Sequence, residues 1–205
     1  MNVSALLLAG LIVVTFTAFS FGQEKKVKVK LHDVTDYGDH KPFADKAAQT
    51  LEDVFNSEEF KNEVLRGQFN ATKGLTNEEL YDKIMTAHEV DGPGGQDGVV
   101  DLRARTLRID SDESEWKNPC EGSTIGVDGA GTGVTAICPQ RLVEWSKEDD
   151  PAALAAHYAH EYMHILGFSH KRALFSTNGW KRKTFVYQIG DIVENLANKL
   201  KSEGK

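Results

Sequence analysis

The segment from His160 to His170 has a spacing that suits a metal site. His160 and His164 are four residues apart, so on a helix their imidazoles project from one face, one turn apart, and bracket a single Zn²⁺. Glu161 follows His160 directly and can reach a water molecule on the open side of the metal. These residue types predict a zinc site with an acid–base group beside it.

Gly167 and His170 extend this pattern. Gly167 is expected to end the helix in the left-handed conformation, so that the chain reverses and returns His170 as a third nitrogen ligand. Three neutral imidazoles leave the fourth zinc position to water, which is the catalytic rather than the structural arrangement. The full pattern H-E-x-x-H-x-x-G-x-x-H fixes five positions and is much more specific than H-E-x-x-H alone.

This pattern resembles the zinc signature of the metzincin metalloendopeptidases. The resemblance implies that His160, His164 and His170 bind one catalytic Zn²⁺ and that Glu161 is the general base and acid. It also implies an α+β fold of the zincin type. That fold has a mixed sheet with a long backing helix, an active-site helix, and a small C-terminal subdomain ending in a helix.

The chain departs from metzincins after the third histidine. Metzincins carry a methionine in a turn beneath the metal, but the last methionine here is Met163, so none follows His170. The segment 184–190 is expected to take the place of that turn. Lys171, directly after His170, fits none of the astacin, serralysin or matrixin patterns. The chain is therefore interpreted as a divergent, compact branch.

Tyr187 is a further catalytic candidate. In astacins and serralysins a tyrosine in a similar place swings onto the metal or the tetrahedral intermediate. The resemblance thus implies that Tyr187 donates a hydrogen bond to the developing oxyanion. The alternative is a tyrosine that only packs at the start of the last helix. His157, three residues before His160, is expected to support the site or to lie exposed rather than to be a fourth ligand.

Capping signals and periodicity predict the helices that would position these residues. Asp150-Pro151 is typical of a helix start, and that helix is expected to end at Gly167. Helical spacing predicts a helix over 44–66, and a capping box predicts another from Thr76. A final helix is expected over 191–201.

Alternation of apolar and polar residues predicts strands at 26–31 and 99–109. Two short strands around a Gly-rich turn are expected within 123–138. This hairpin is either a free sheet edge that pairs with an extended substrate or a stapled surface hairpin. The acidic turn 91–98 lacks the spacing of a calcium loop, so an ordinary turn is favoured over a Ca²⁺ site.

Length and charge bound the function classes. The chain has 205 residues, and a single catalytic domain is expected over 23–205. Its formal charge of −7 argues against a nucleic-acid binder. Residues 1–22 are predicted to be a signal peptide, and an uncleaved membrane anchor is the alternative. In an exported chain, Cys120 and Cys138 are expected to form one disulfide, worth about 3 kcal/mol.

The resulting prediction is a zinc-dependent endopeptidase that is secreted, extracellular or periplasmic. A zinc-bound water, activated by Glu161, would attack the carbonyl of a protein or peptide substrate. The chain is expected to be a monomer without a membrane partner after signal cleavage. One alternative is an exported, zinc-stabilised binding or adhesion protein with weak or no turnover. Another keeps the peptidase but recruits Glu194 in place of His170 as a ligand.

Overall fold

The architecture combines helices with a small mixed sheet, which confirms an α+β class at a coarse level. The predicted signal peptide and His170 lie outside the described part of the chain. The computed structural model describes residues 26–87, 97–107, 120, 125–129, 134–169 and 178–204.

The sheet has four strands in the order β1-β2-β4-β3. β1, β2 and β4 are parallel, whereas β3 pairs antiparallel with β4. The parallel step from β1 to β2 needs a long crossover, which three helices supply. The predicted strands and hairpin are confirmed, with these bounds: β1 Lys28–Thr35, β2 Val99–Thr106, β3 Gly126–Gly129 and β4 Val134–Ile137.

The helices pack against the sheet and against each other. The Asp150 side chain accepts a hydrogen bond from the Ala153 backbone, and Thr76 forms a complete capping box with Glu79, so both predicted helix starts are confirmed. A 3₁₀ turn over Gly38–His40 precedes the first helix. The bounds are α1 Lys41–Phe55, α2 Glu58–Arg66, α3 Asn77–Met85, α4 Pro139–Lys147, α5 Pro151–Ile165, α6 Asn178–Arg182 and α7 Phe185–Ser202.

The prediction of one long backing helix over 44–66 was wrong, because the chain breaks between α1 and α2. Asn56 turns its side chain to β1, where it accepts from the Val27 amide at 2.9 Å and donates to the Val27 carbonyl at 2.8 Å. Ser57 then caps α2 by accepting from the Phe60 amide at 3.1 Å. The Ser57 contact satisfies a backbone amide at the start of α2, and the Asn56 contacts satisfy the backbone amide and carbonyl of Val27.

The last helix begins at Phe185, so the predicted start at 191 was also wrong. Thr184 has extended backbone and joins Asn70: the Asn70 amide donates to the Lys183 carbonyl at 2.8 Å, and the Phe185 amide donates to the Asn70 carbonyl at 2.9 Å. Residues 185–190 are therefore the first part of α7, so the segment 184–190 does not form the turn expected there. Tyr187 consequently lies on a helix.

The helix α5 lies in the middle of the helical layer, against α1 and α7. α7 runs antiparallel to α5, since Tyr187 contacts His160 and Lys201 donates to the Asp149 carbonyl at 3.1 Å. The predicted disulfide is confirmed: Cys120 and Cys138 are bonded, with Cα atoms 5.5 Å apart. None of the helices in the described ranges combines the length and apolarity that crossing a bilayer requires.

Candidate metal centre

The helix α5 is buried on nearly every side. Of its 15 residues, the ones that retain intermediate exposure are Ala153, His160 and His164. These positions are seven and four residues apart, so they form one stripe along the helix. Both predicted metal ligands of α5 therefore lie on its accessible stripe, and the rest of the helix is fixed by packing.

The His160 and His164 rings lie side by side on this stripe. Their centroids are 5.3 Å apart, with the ring planes at 73°. Nδ1 of His164 is 2.9 Å from the Phe168 carbonyl oxygen. Because a carbonyl only accepts, the single proton of a neutral ring belongs on Nδ1, which leaves the lone pair on Nε2. That is the tautomer a metal ligand needs, and a carbonyl is a usual partner for the second nitrogen of such a ligand.

The turn after α5 produces this contact. Gly167 has φ of 86°, which confirms its predicted left-handed conformation. The Gly167 amide donates to the His164 carbonyl at 2.7 Å, and the Phe168 amide donates to the Met163 carbonyl at 2.9 Å. This is a Schellman arrangement, and it brings the Phe168 carbonyl within hydrogen-bonding distance of Nδ1 of His164.

The third predicted ligand, His170, follows this turn but is not among the described residues. Within the described ranges, no group of three or more His, Cys, Asp or Glu side chains is arranged to hold a metal. His160 and His164 supply two suitable imidazole donors. A tetrahedral zinc site with an open position needs one more protein ligand, so the fit of the ion depends on His170.

Glu161, the predicted general base, is only 5 % exposed. Its Oε1 atom lies 3.5 Å from Nδ1 of His157, one helical turn before it. The carboxylate is thus buried in the interior, next to the His157 ring.

His157 lies in the interior beside this carboxylate. It is 6 % exposed, and its burial lowers the pKa of the ring to about 4. Its Nε2 is 3.3 Å from Oγ1 of Thr135 on β4. Its two ring nitrogens thus face Thr135 and Glu161.

Tyr187 reaches the site from α7. Its ring packs edge-to-face on His160, with centroids 4.7 Å apart and planes at 78°. Gly190, one turn later, permits this approach, because a Cβ there would lie 3.3 Å from the Ala156 carbonyl and 3.6 Å from Cβ of His160. The structure therefore brings Tyr187 next to His160, although on a helix rather than after a turn.

Glu194 lies elsewhere. It is seven residues beyond Tyr187, about 10 Å further along the helix. Its pKa is raised by partial burial, and next by the charges of Asp150 and Asp191. This places Glu194 towards the start of α5, so it is not a nearby substitute for His170.

Sequence reasoning missed two residues that support the site, Thr135 and Gly126. Both contact His157 from the hairpin strands. A buried threonine in the otherwise apolar strand β4 was the available signal, since a buried hydroxyl needs a partner.

Comparison with known proteins adds no family to this description: the chain has no significant match to a protein-family model, a curated protein or a solved structure.

Proposed function

We propose that this chain is a zinc-dependent endopeptidase of the metzincin type. The observation that carries the proposal is the placement of His160 and His164 on the accessible stripe of a buried helix, with the buried carboxylate of Glu161 beside them. Burying polar groups in a central helix is unfavourable without partners, so this arrangement calls for a function. The left-handed Gly167 adds support, because it reverses the chain just before His170.

His160, His164 and the predicted third ligand His170 would hold the ion. Bound there, zinc supplies a Lewis acid that polarises a peptide carbonyl and lowers the pKa of water towards neutrality. The packing of α5 on its other sides keeps the two imidazoles in fixed positions. The Phe168 carbonyl holds His164 in the ligating tautomer.

The remaining chemistry belongs to Glu161 and Tyr187. Glu161 accepts a proton from the attacking water and passes it to the leaving amine. Glu161 directly follows His160 on α5, and its buried carboxylate contacts His157. The Tyr187 hydroxyl donates a hydrogen bond to the oxyanion that develops on the carbonyl. The contact between the Tyr187 and His160 rings supports this role.

The finer fold and location belong to the same proposal. The antiparallel strand β3 ends the described sheet on the side that contacts α5, as expected for a zincin-like cleft whose edge strand pairs with an extended substrate. The Cys120–Cys138 disulfide supports export to an oxidising compartment. We infer a secreted mature chain over 23–205.

One observation favours a second candidate function. The segment 184–190, where metzincins have their methionine turn, is helical here. A zinc-stabilised binding protein that has lost turnover would tolerate this change more easily than a peptidase.

Glu161→Gln tests the proposal. With the mature zinc-loaded chain and a peptide library, kcat should fall by about 10³-fold or more, because the proton acceptor is lost, while zinc content stays unchanged. Glu63→Gln, a substitution of an exposed carboxylate on α2, is the matched control and should retain full activity. Full activity of Glu161→Gln would refute the assigned base. Zinc binding by the unmodified chain without chelator-sensitive cleavage of any peptide would favour the binding protein.

A further inference from the structure

Two side chains, Thr135 and His157, connect the sheet to the proposed general base, Glu161. Oγ1 of Thr135 on β4 lies 3.3 Å from Nε2 of His157, and Nδ1 of His157 lies 3.5 Å from Oε1 of Glu161. Thr135 is 1 % exposed and His157 is 6 % exposed, so water has little access to this row of groups. The row runs from the hairpin to the carboxylate that the mechanism uses.

The neighbours of His157 determine which of its two ring nitrogens carries the proton. Burial keeps the pKa of His157 at about 4, so the ring is neutral near pH 7 and carries one N–H. A carboxylate only accepts, so the N–H belongs on Nδ1, facing Glu161. Nε2 then accepts from the Thr135 hydroxyl, which is the one partner of the two that can donate.

The His157 ring is also confined on its strand side. A Cβ at Gly126 would overlap the Ala136 carbonyl and lie 2.5 Å from Cε1 of His157. The bare glycine backbone of β3 therefore packs directly against the ring. Any larger residue at this position would displace either the ring or the strand pairing.

A histidine here is not explained by packing alone. An apolar side chain could fill this interior position without the penalty of burying two polar nitrogens. The polar ring is accounted for by its two partners, and the partner on α5 is Glu161.

We propose that His157 is a positioning residue, which holds the Glu161 carboxylate through the 3.5 Å contact of its Nδ1 with Oε1, while the Thr135 hydroxyl donates to Nε2 and holds the ring in place. The inference rests on the proposed catalytic role of Glu161. His157 touches neither substrate nor metal. It keeps Oε1 of Glu161 turned towards the ring, so that the carboxylate has one orientation in which to exchange protons with water.

The first test is kinetic and uses the mature zinc-loaded chain. His157→Leu fills the space without a donor and should lower kcat by about 10–100-fold with KM and zinc content little changed. His157→Asn places an amide N–H near the position of Nδ1 and should recover kcat to within about tenfold of the unmodified chain. A purely structural role would not distinguish the two variants in this way.

The second test does not use activity. Two-bond ¹H–¹⁵N correlation spectra of the zinc-free and zinc-loaded protein should show His157 with a protonated Nδ1 and a non-protonated Nε2, the resonances being assigned by their loss in His157→Asn. Thr135→Val removes the donor to Nε2 and should shift the Nε2 resonance while Nδ1 stays protonated, because Glu161 still accepts from it. This measurement remains decisive if His157→Leu fails to fold.

A protonated Nε2 on His157 would overturn the inference, as would unchanged kcat in a folded His157→Leu. These results differ from failure of the proposed function. If Glu161→Gln retains activity, the base is wrong whatever His157 does. If Glu161→Gln is inactive and His157→Leu is fully active, only the positioning role is wrong.

Discussion

The helices α1 and α5 have the same length, 15 residues each, and pack against each other, yet they are built differently. α1 buries one apolar face and exposes the other, where Lys41 pairs with Asp45 and Gln49 donates to Asp53. α5 is buried on nearly all sides and exposes little beyond its histidine stripe. The first pattern separates an apolar face from a wet one, and the second buries polar side chains in the interior.

The difference shows which polar residues need an explanation. The polar residues of α1 lie in or near water, where they contribute little to stability. His157 and Glu161 of α5 lie in the interior, where an apolar pair would be more favourable. Under the proposed function, a central helix that keeps such groups gives up some stability in exchange for activity.

The largest predicted effect concerns the buried leucines with which both helices pack into the core. Leu51 of α1 and Leu154 of α5 are both fully buried. Leu51→Ala and Leu154→Ala should each lower the free energy of unfolding by about 2–5 kcal/mol, because each leaves a cavity. Denaturant unfolding measures this, with Gln49→Ala on the exposed face of α1 as a control that should change stability by less than about 0.5 kcal/mol. Tolerance of either core truncation would show that the helix is not packed as described.

The next prediction concerns the buried histidine of α5 and the pH dependence of the free energy of unfolding. The pKa of His157 is about 4 in the folded chain, below its ordinary value of 6.5, so the unfolded chain binds more protons between these values. The stabilisation associated with the neutral ring is complete above pH 6.5 and is lost as pH falls to 4, by up to about 3 kcal/mol. The difference in unfolding free energy between the unmodified chain and His157→Asn should therefore shrink or reverse over this range. A difference independent of pH would contradict the buried, neutral state of His157.

The smallest predicted effect concerns Tyr187 of α7, which contacts His160 of α5. Tyr187→Phe keeps the ring contact with His160 but removes the hydroxyl. In steady-state assays kcat should fall by about 10–100-fold with zinc affinity unchanged, because a donor to the oxyanion is lost. Unchanged kcat would leave Tyr187 with a packing role only, and a loss of zinc would indicate that its hydroxyl acts on the metal site itself.

Local signals in the sequence were sufficient for the two ends of α5. Asp150-Pro151 begins the helix, and Gly167 ends it with positive φ, as predicted. The spacing of His160 and His164 fixed their shared face, because helical geometry leaves no alternative. These features depend on neighbours within a few residues.

Errors arose where distant contacts decide the structure. The break after α1 depends on Asn56 contacting Val27, and the early start of α7 depends on Thr184 joining Asn70. The supporting contacts of His157 likewise come from another element, with Thr135 22 residues away along the chain. Periodicity along one segment carries no information about such partners.

The zinc content of the purified mature chain tests the central claim most directly. Elemental analysis should find one zinc ion per chain, and His170→Ala should weaken zinc binding by at least about 100-fold. The control is His40→Ala, which changes a histidine that contacts Ser146 away from the site. It should leave zinc binding unchanged. A His170→Ala chain that retains one zinc at unchanged affinity would contradict the three-histidine centre. It would also contradict the proposed endopeptidase mechanism, which depends on that centre.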